Sequence, residues 1–395
     1  MNPRLELLHP YPFEKLRELF AGVTTSSQRA IRLSIGEPQH ATPDLITDAL
    51  RDGFAGLSVY PSTSGSEELR QTIAHWLQQR YALSSVNHAS QVLPVTGSRE
   101  ALFSFAQAVI DSSKPAPLVV CPNPFYQIYE GAALLAGATP VFVNQTPENG
   151  FGFDWTSLSS ENWRRVQLLY ICSPGNPTGR VMLLDEWKAL FELSDRYGFV
   201  IAADECYSEI YFDESKPPLG ALQAAELLGR SGFPRLVVFS SLSKRSNVPG
   251  MRSGFVAGDA SILNAFLRYR TYHGCAMGGP IQSASIAAWR DETHVRHNRS
   301  LYRDKFSAVV PLLSPVLDVS LPDAGFYLWA RVPGGNDAAF AKALLENTNV
   351  TVLPGQYLAR NTDQGNPGEG FIRIALVAPI DDCIEAAQRI AAYLS

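Results

Sequence analysis

The chain has little of what would mark it for a membrane, a secretory route or a polyanion. No apolar run approaches the roughly 20 residues that a membrane helix needs. The first residues carry Arg4, Glu6, His9 and Pro10 where a signal peptide would have its apolar core. Cysteine is scarce: Cys121, Cys172, Cys206, Cys275 and Cys383 are odd in number and scattered over 395 residues. They have neither the density of a disulfide framework nor a CxxC metal spacing, so reduced core thiols and no metal site are expected. Basic residues form no run, and 33 Lys plus Arg against 38 Asp plus Glu leave a net charge of −5. That balance gives no electrostatic reason to expect nucleic acid or an anionic membrane as partner. No P-loop and no internal repeat is present. The expectation is a cytoplasmic globular protein.

What is there suffices for a large core. The composition is 46% hydrophobic and 18% charged, and at about 100 to 200 residues per domain the length suggests two domains or so. Residues 1–45 read as an arm plus part of a small domain, 46–285 as a large domain, and 286–395 as a smaller C-terminal α+β domain. In the middle section, short β-rich runs at 91–95, 118–121, 166–172, 199–203 and 236–240 alternate with helical patterns at 99–110 and 184–197. Such alternation predicts an α/β fold, a mostly parallel sheet covered by helices. Flanking elements are expected as a strand at 31–35, a helix at 43–54, strands at 317–320, 325–330, 350–353 and 370–376, and helices at 337–346 and from 380. The polar, Gly-rich stretch 361–370 reads as a mobile surface loop.

Polar residues follow these strands, where open α/β sheets bind ligands. Leu236-Val-Val-Phe-Ser240 leads into Ser241-Leu-Ser-Lys-Arg-Ser-Asn-Val-Pro-Gly-Met-Arg252, predicting a loop that holds Lys244 at the sheet edge with Arg245 and Arg252 nearby. A partly desolvated amine beside hydroxyls and cations suits a phosphorylated carbonyl compound such as pyridoxal phosphate; a plain basic surface loop is the alternative. Thr96-Gly97-Ser98 turns into a helix N-terminus, a natural anion site. Tyr126 delivers a ring on which a flat cofactor could stack, and the rigid Ser173–Gly179 segment displays the Asn176 amide. Asp204 ends a core strand and needs a cationic partner there, unless it only caps a helix. Arg373, inside Phe371-Ile-Arg-Ile-Ala375, needs an acceptor if it points inward, either a substrate carboxylate or another element's acid. Gly36 in the turn before Pro38 allows close approach to a ligand, and Tyr60 is an aromatic in a small polar loop, where mere packing is its commoner job.

Taken in order, Tyr60-Pro61, Thr96-Gly-Ser-Arg-Glu-Ala-Leu102, Asn176-Pro-Thr-Gly179, Asp204-x-x-Tyr207, Ser241-x-x-Lys244, Arg252 and Arg373 resemble the fold type I pyridoxal-phosphate aminotransferases of class I/II. The resemblance runs from about Gly36 to the C-terminus. It implies that Lys244 carries the cofactor and shuttles the proton, that Asp204 pairs with the pyridine nitrogen, and that Tyr207 and Asn176 hydrogen-bond the ring hydroxyl. It further implies that Ser98, the Arg99 backbone, Ser241 and Arg252 hold the phosphate, joined by Tyr60 from a second subunit of a homodimer. Tyr126 would stack on the ring, and Arg373, helped by Asn176 and Gly36, would bind the substrate α-carboxylate.

Within that family, Ser-Leu-Ser-Lys-Arg-Ser-Asn-x-Pro-Gly-x-Arg-Ser-Gly-Phe255 looks most like the N-succinyldiaminopimelate aminotransferases of bacterial lysine biosynthesis. That implies glutamate as donor and N-succinyl-2-amino-6-oxopimelate as acceptor. Alternatives on the same scaffold are an acetylornithine-like, aromatic or alanine aminotransferase, or a carbon–sulfur β-lyase. A cofactor-sensing regulator is not expected, because the arm ahead of Gly36 has no room for a DNA-binding module. Arg32, Arg268 and Arg270 are candidates for a second carboxylate-binding residue.

Overall fold

The computed structural model describes residues 1–395. Twelve strands are present: β1 Ile31–Arg32, β2 Val92–Val95, β3 Leu118–Asn123, β4 Thr139–Asn144, β5 Val166–Cys172, β6 Val200–Asp204, β7 Leu236–Ser241, β8 Gly254–Gly258, β9 Tyr327–Arg331, β10 Val350–Thr351, β11 Leu353–Pro354 and β12 Phe371–Ala375. Seven of them form one sheet in the order β2-β8-β7-β6-β5-β3-β4. β8 runs antiparallel to both its neighbours, and the remaining pairs are parallel. The α/β architecture read from the alternation is therefore the one adopted.

Strand alternation builds a core on each face. In β5 and β6, Leu169, Ile171, Ile201 and Ala203 pack with Trp187 and Leu190 of the Leu184–Tyr197 helix. Leu168, Tyr170 and Ala202 turn the other way, onto Phe105 of the Ser98–Val109 helix. Because both faces are buried, these strands read as continuous apolar runs rather than alternating ones.

A second unit holds the sheet β11-β12-β9, covered by the helices Thr293–Leu313, Asp337–Thr348 and Ile380–Leu394. Leu328, Ile372 and Ile374 face Phe306, Val309 and Ile390 there. β1 pairs in parallel with β10, so the N-terminal segment is stitched to the C-terminal unit.

Several local expectations are corrected. The strand expected at 31–35 shrinks to two residues, and the one expected at 317–320 is a single bridge between Asp318 and Arg331. β4, β8 and the Ile128–Ala136 helix had no expected counterpart. β8 escapes notice because glycines bound it, and they are required: a Cβ at Gly254 would run into the Ser240 carbonyl of the adjacent strand. The 361–370 stretch is tied down, with the Gly370 N–H donating to Asp337 Oδ1 and Asn366 Nδ2 to the Gln356 carbonyl.

Candidate active site

The C-terminal ends of β2, β3, β5, β6 and β7 share one sheet edge, and antiparallel β8 begins at that edge. Ser98, Tyr126, Asn176 and Lys244 follow β2, β3, β5 and β7, Asp204 closes β6, and Arg252 precedes β8. A cavity of about 380 Å³ opens there. Lys244, Asp204, Tyr207, Ser98, Arg99, Tyr126, Asn176, Ser241, Arg252, Gly36 and Arg373 all line it. Tyr60 does not: it is 99% exposed and stands away from this cavity within its own chain.

Lys244 lies not on an open loop but in a single helical turn, Leu242–Arg245, closed by the Ser246 N–H donating to the Leu242 carbonyl at 2.9 Å. The turn separates two cations that the linear sequence groups together. Lys244 faces the cavity. Arg245 is buried on the other side against Trp76 and Trp289, paired with Glu292 at 2.5 Å. Arg245 therefore contributes no charge to the cavity.

Asp204 is 4% exposed. Its Oδ2 accepts from the Tyr129 hydroxyl at 2.8 Å and its Oδ1 from the Cys206 N–H at 3.2 Å. Burial holds the carboxyl above its usual range, while these two bonds and the Lys244 charge act the other way. Tyr129 stacks on Tyr170 at 4.6 Å and meets Tyr126 edge-on at 5.8 Å. Tyr207 shares a hydrogen bond with Tyr327 at 3.0 Å, and burial pushes its hydroxyl well up, so it stays protonated at neutral pH.

Three segments form the candidate anion cradle. Gly97, at φ 92°, delivers Ser98 to the start of a helix, and a Cβ at position 97 would strike the Arg252 guanidinium. Ser98 Oγ accepts from the Cys206 thiol at 3.0 Å, and the Ser241 hydroxyl points to the same sulfur at 3.7 Å. Arg252 Nη1 donates to the Pro249 carbonyl at 2.8 Å, so its charge is left for an anion.

Arg373 is 3% exposed and also lacks a carboxylate partner. Its Nη1 donates to Asn176 Oδ1 and its Nη2 to the Ser34 carbonyl, both at 2.9 Å, with the guanidinium 4.3 Å from the Tyr327 ring centroid. Its Nε is buried with no partner. A buried, unneutralised guanidinium is costly, and a carboxylate ligand would relieve that cost.

The fit to pyridoxal phosphate rests on these features: an amine for the aldehyde, a buried carboxylate for a protonated ring nitrogen, a ring for stacking, and a helix N-terminus with an unpaired arginine for the phosphate.

Other residues were not anticipated from sequence. Tyr11, Pro12 and Phe13 of the N-terminal arm cover the cavity. The Arg99 side chain, not only its backbone, lines it, donating to the Tyr11 hydroxyl at 2.7 Å. Tyr129, Cys206 and Tyr327 complete the walls or hold them. Only the Tyr129 requirement had a sequence signal, since a buried Asp204 needs donors. Of the arginines considered for a second carboxylate, Arg270 is buried in a pair with Glu100 at 2.8 Å, and neither Arg32 nor Arg268 lines the cavity.

The sequence profile of the family described as aminotransferase class I and II matches residues 28–390. The chain belongs to that family, whose members depend on pyridoxal phosphate. It is 33% identical over 395 residues to an LL-diaminopimelate aminotransferase of Nitratidesulfovibrio vulgaris, spanning 98% of this chain and 97% of that protein. Among solved structures it is similar to an aminotransferase from Neisseria meningitidis at 55% identity and TM-score 0.97, with both chains fully covered. A probable N-succinyldiaminopimelate aminotransferase from Thermus thermophilus superposes at TM-score 0.84 and 26% identity, covering 97% of this chain and all of that one. No helix is long and apolar enough to cross a membrane.

Proposed function

We propose that this aminotransferase moves an amino group from glutamate to a keto acid bearing a distal carboxylate, in the diaminopimelate branch of lysine synthesis. One observation carries the reading. Besides Arg252, assigned to the phosphate, two further arginines without acidic partners, Arg373 and Arg99, line the same cavity as Lys244. Arg373 would bind the α-carboxylate, and Arg99, under Tyr11, the distal one. Arg99 thus takes the place of the three arginines considered from sequence.

In this reading Lys244 would hold the cofactor through its aldehyde carbon, and its free amine would carry the proton at the substrate Cα. Pyridoxal phosphate, when bound, supplies the electron sink for the charge left on that carbon. Asp204, held in place by Tyr129, would pair with the ring nitrogen and favour its protonated form. Tyr207 and Asn176 would donate to the ring hydroxyl, Tyr126 would stack on the ring, and Ser98, the Arg99 backbone, Ser241 and Arg252 would hold the phosphate. Gly36, whose missing Cβ makes room for the Tyr327 hydroxyl, would help bind the α-carboxylate.

We further propose a homodimer in which Tyr60 completes the partner's phosphate site. Phe54, Leu57, Val59 and Tyr60 form an exposed apolar segment that supports it. The division into 1–45, 46–285 and 286–395 goes with this, the β1–β10 pairing supporting the grouping of the arm with the C-terminal unit.

Two acceptors compete. The Ser241–Phe255 motif favours N-succinyl-2-amino-6-oxopimelate, and the Thermus thermophilus neighbour's name agrees with it. The curated relatives favour the unsuccinylated compound, with LL-diaminopimelate as product. The test converts the cofactor-loaded protein to its amine form with glutamate and then follows the return of the aldehyde-form absorbance with each acceptor. Faster return with the succinylated compound than with the free one, pyruvate or oxaloacetate supports the first. Faster return with the free compound supports the second. A glutamate half-reaction that fails refutes both.

A further inference from the structure

Behind the Lys244 turn lies a buried polar chain that takes no part in the roles assigned above. A one-turn helix leaves its last carbonyls without partners. Here the Lys244 and Arg245 carbonyls accept from the Nδ2 of Asn298, at 3.0 and 3.2 Å. Asn298 is 2% exposed and belongs to the Thr293–Leu313 helix, which covers the C-terminal unit. With both amide hydrogens committed, its Oδ1 must face donors: Asn247 Nδ2 at 2.8 Å and His40 Nδ1 at 2.9 Å.

The bonding pattern fixes the rest by elimination. His40 carries its proton on Nδ1, so Nε2 is the acceptor, and Lys305 Nζ donates to it at 2.7 Å while also donating to the Val377 carbonyl at 3.3 Å. Burial pushes His40 down to about 4 and Lys305 to about 8, which agrees with a neutral ring beside an ammonium. One line of hydrogen bonds thus runs in a single direction, from Lys305 through His40 and Asn298 to the backbone of Lys244. His40 comes from the N-terminal segment, Asn298 and Lys305 from a C-terminal helix, and Lys244 from the large sheet.

We infer that Asn298 is a positioning residue for Lys244, and that His40 and Lys305 set its amide orientation, so that the lysine backbone is clamped by groups outside the large sheet. This rests on the reading of Lys244 as the cofactor-bearing amine. The clamp matters because the Lys244 side chain must leave the cofactor and return to one place in each half-reaction, and an ångström of misplacement costs about 100-fold in rate.

The test uses Asn298→Ala, Asn298→Asp and His40→Asn, with Val309→Ala on the same helix as a control for stability alone. Each cofactor-loaded protein is assayed for the glutamate half-reaction at saturation and for its KM. Each cofactor-free protein is assayed for melting temperature and for the rate at which added pyridoxal phosphate becomes fixed to Lys244 after borohydride reduction, read by peptide mapping. Asn298→Ala and Asn298→Asp should slow both fixation and the saturated half-reaction by about ten- to hundred-fold with KM little changed. Asn298→Asp should be the worse, since it turns a carboxylate towards two carbonyls.

His40→Asn, which restores an N–H donor to Asn298, should keep most of the rate, and Val309→Ala should lower only the melting temperature. Wild-type fixation and turnover in both Asn298 variants, or losses that merely track melting temperature as in Val309→Ala, overturn the inference. If Asn298→Ala does not fold, His40→Ala decides: a slowed half-reaction rescued by His40→Asn supports the clamp, and no effect refutes it. Absence of label on Lys244 in the wild-type protein would instead remove the reading on which the inference stands.

Discussion

Glu205, the neighbour of Asp204, offers a prediction whose size follows from its surroundings. It is 2% exposed, with Oε1 accepting from the Ala221 N–H at 2.6 Å and Oε2 from the Tyr81 hydroxyl at 2.9 Å. Burial pushes its carboxyl from an ordinary 4.5 up to about 7. The folded protein thus holds this proton more tightly than the unfolded chain. The associated stability is fully present below pH 4.5 and is lost as the pH rises through about 7.

Integrated between pH 5 and pH 8, that shift removes about 2.5 kcal/mol of stability through one group. Glu205→Gln is neutral throughout and keeps an oxygen acceptor, so it should lack this loss, whatever its constant offset from wild type. Urea midpoints of both proteins at the two pH values read the difference directly, and the other titrating groups are common to both. If the two stabilities change in parallel between pH 5 and pH 8, Glu205 ionises normally and the reasoning from burial fails.

Three further outcomes are expected. Lys244→Ala should abolish transamination and leave no cofactor covalently bound after borohydride reduction; wild-type turnover in that variant would end the present reading of the site. Arg373→Ala should raise KM for glutamate by roughly 10- to 100-fold, the value of a hydrogen-bonded charge contact of about 1.5–3 kcal/mol, and an unchanged KM would remove Arg373 from the carboxylate site. Arg99→Ala should weaken kcat/KM for the acceptor with a distal carboxylate by roughly tenfold, against a smaller effect on alanine as donor. Equal losses on both would argue for a phosphate role of the side chain instead.

Sequence alone determined the parts of this protein that are local in the chain. Buried parallel strands announce themselves as unbroken apolar runs, so β5 and the Leu184–Tyr197 helix agree with expectation to the residue, and β3, β6 and β7 to within two. Chemistry confined to a strand end is equally visible, because Ser98, Asn176, Asp204 and Lys244 each follow such a run directly. The motif set also carried the family, which the profile match establishes.

Tertiary structure alone decided matters that depend on distance through space. Arg245 adjoins Lys244 in the chain, yet one helical turn, about 100° per residue, sends it into the Trp76–Trp289 core and out of the cavity. Arg99, Tyr11 and Tyr327 come from segments with no sequence relation and line one cavity. Tyr129 and Asn298 act through hydrogen bonds across 75 and 54 residues. A sequence pattern reports periodicity and composition along the chain, whereas such contacts follow from how the packed layers bring distant segments together, and so they become legible only in the fold.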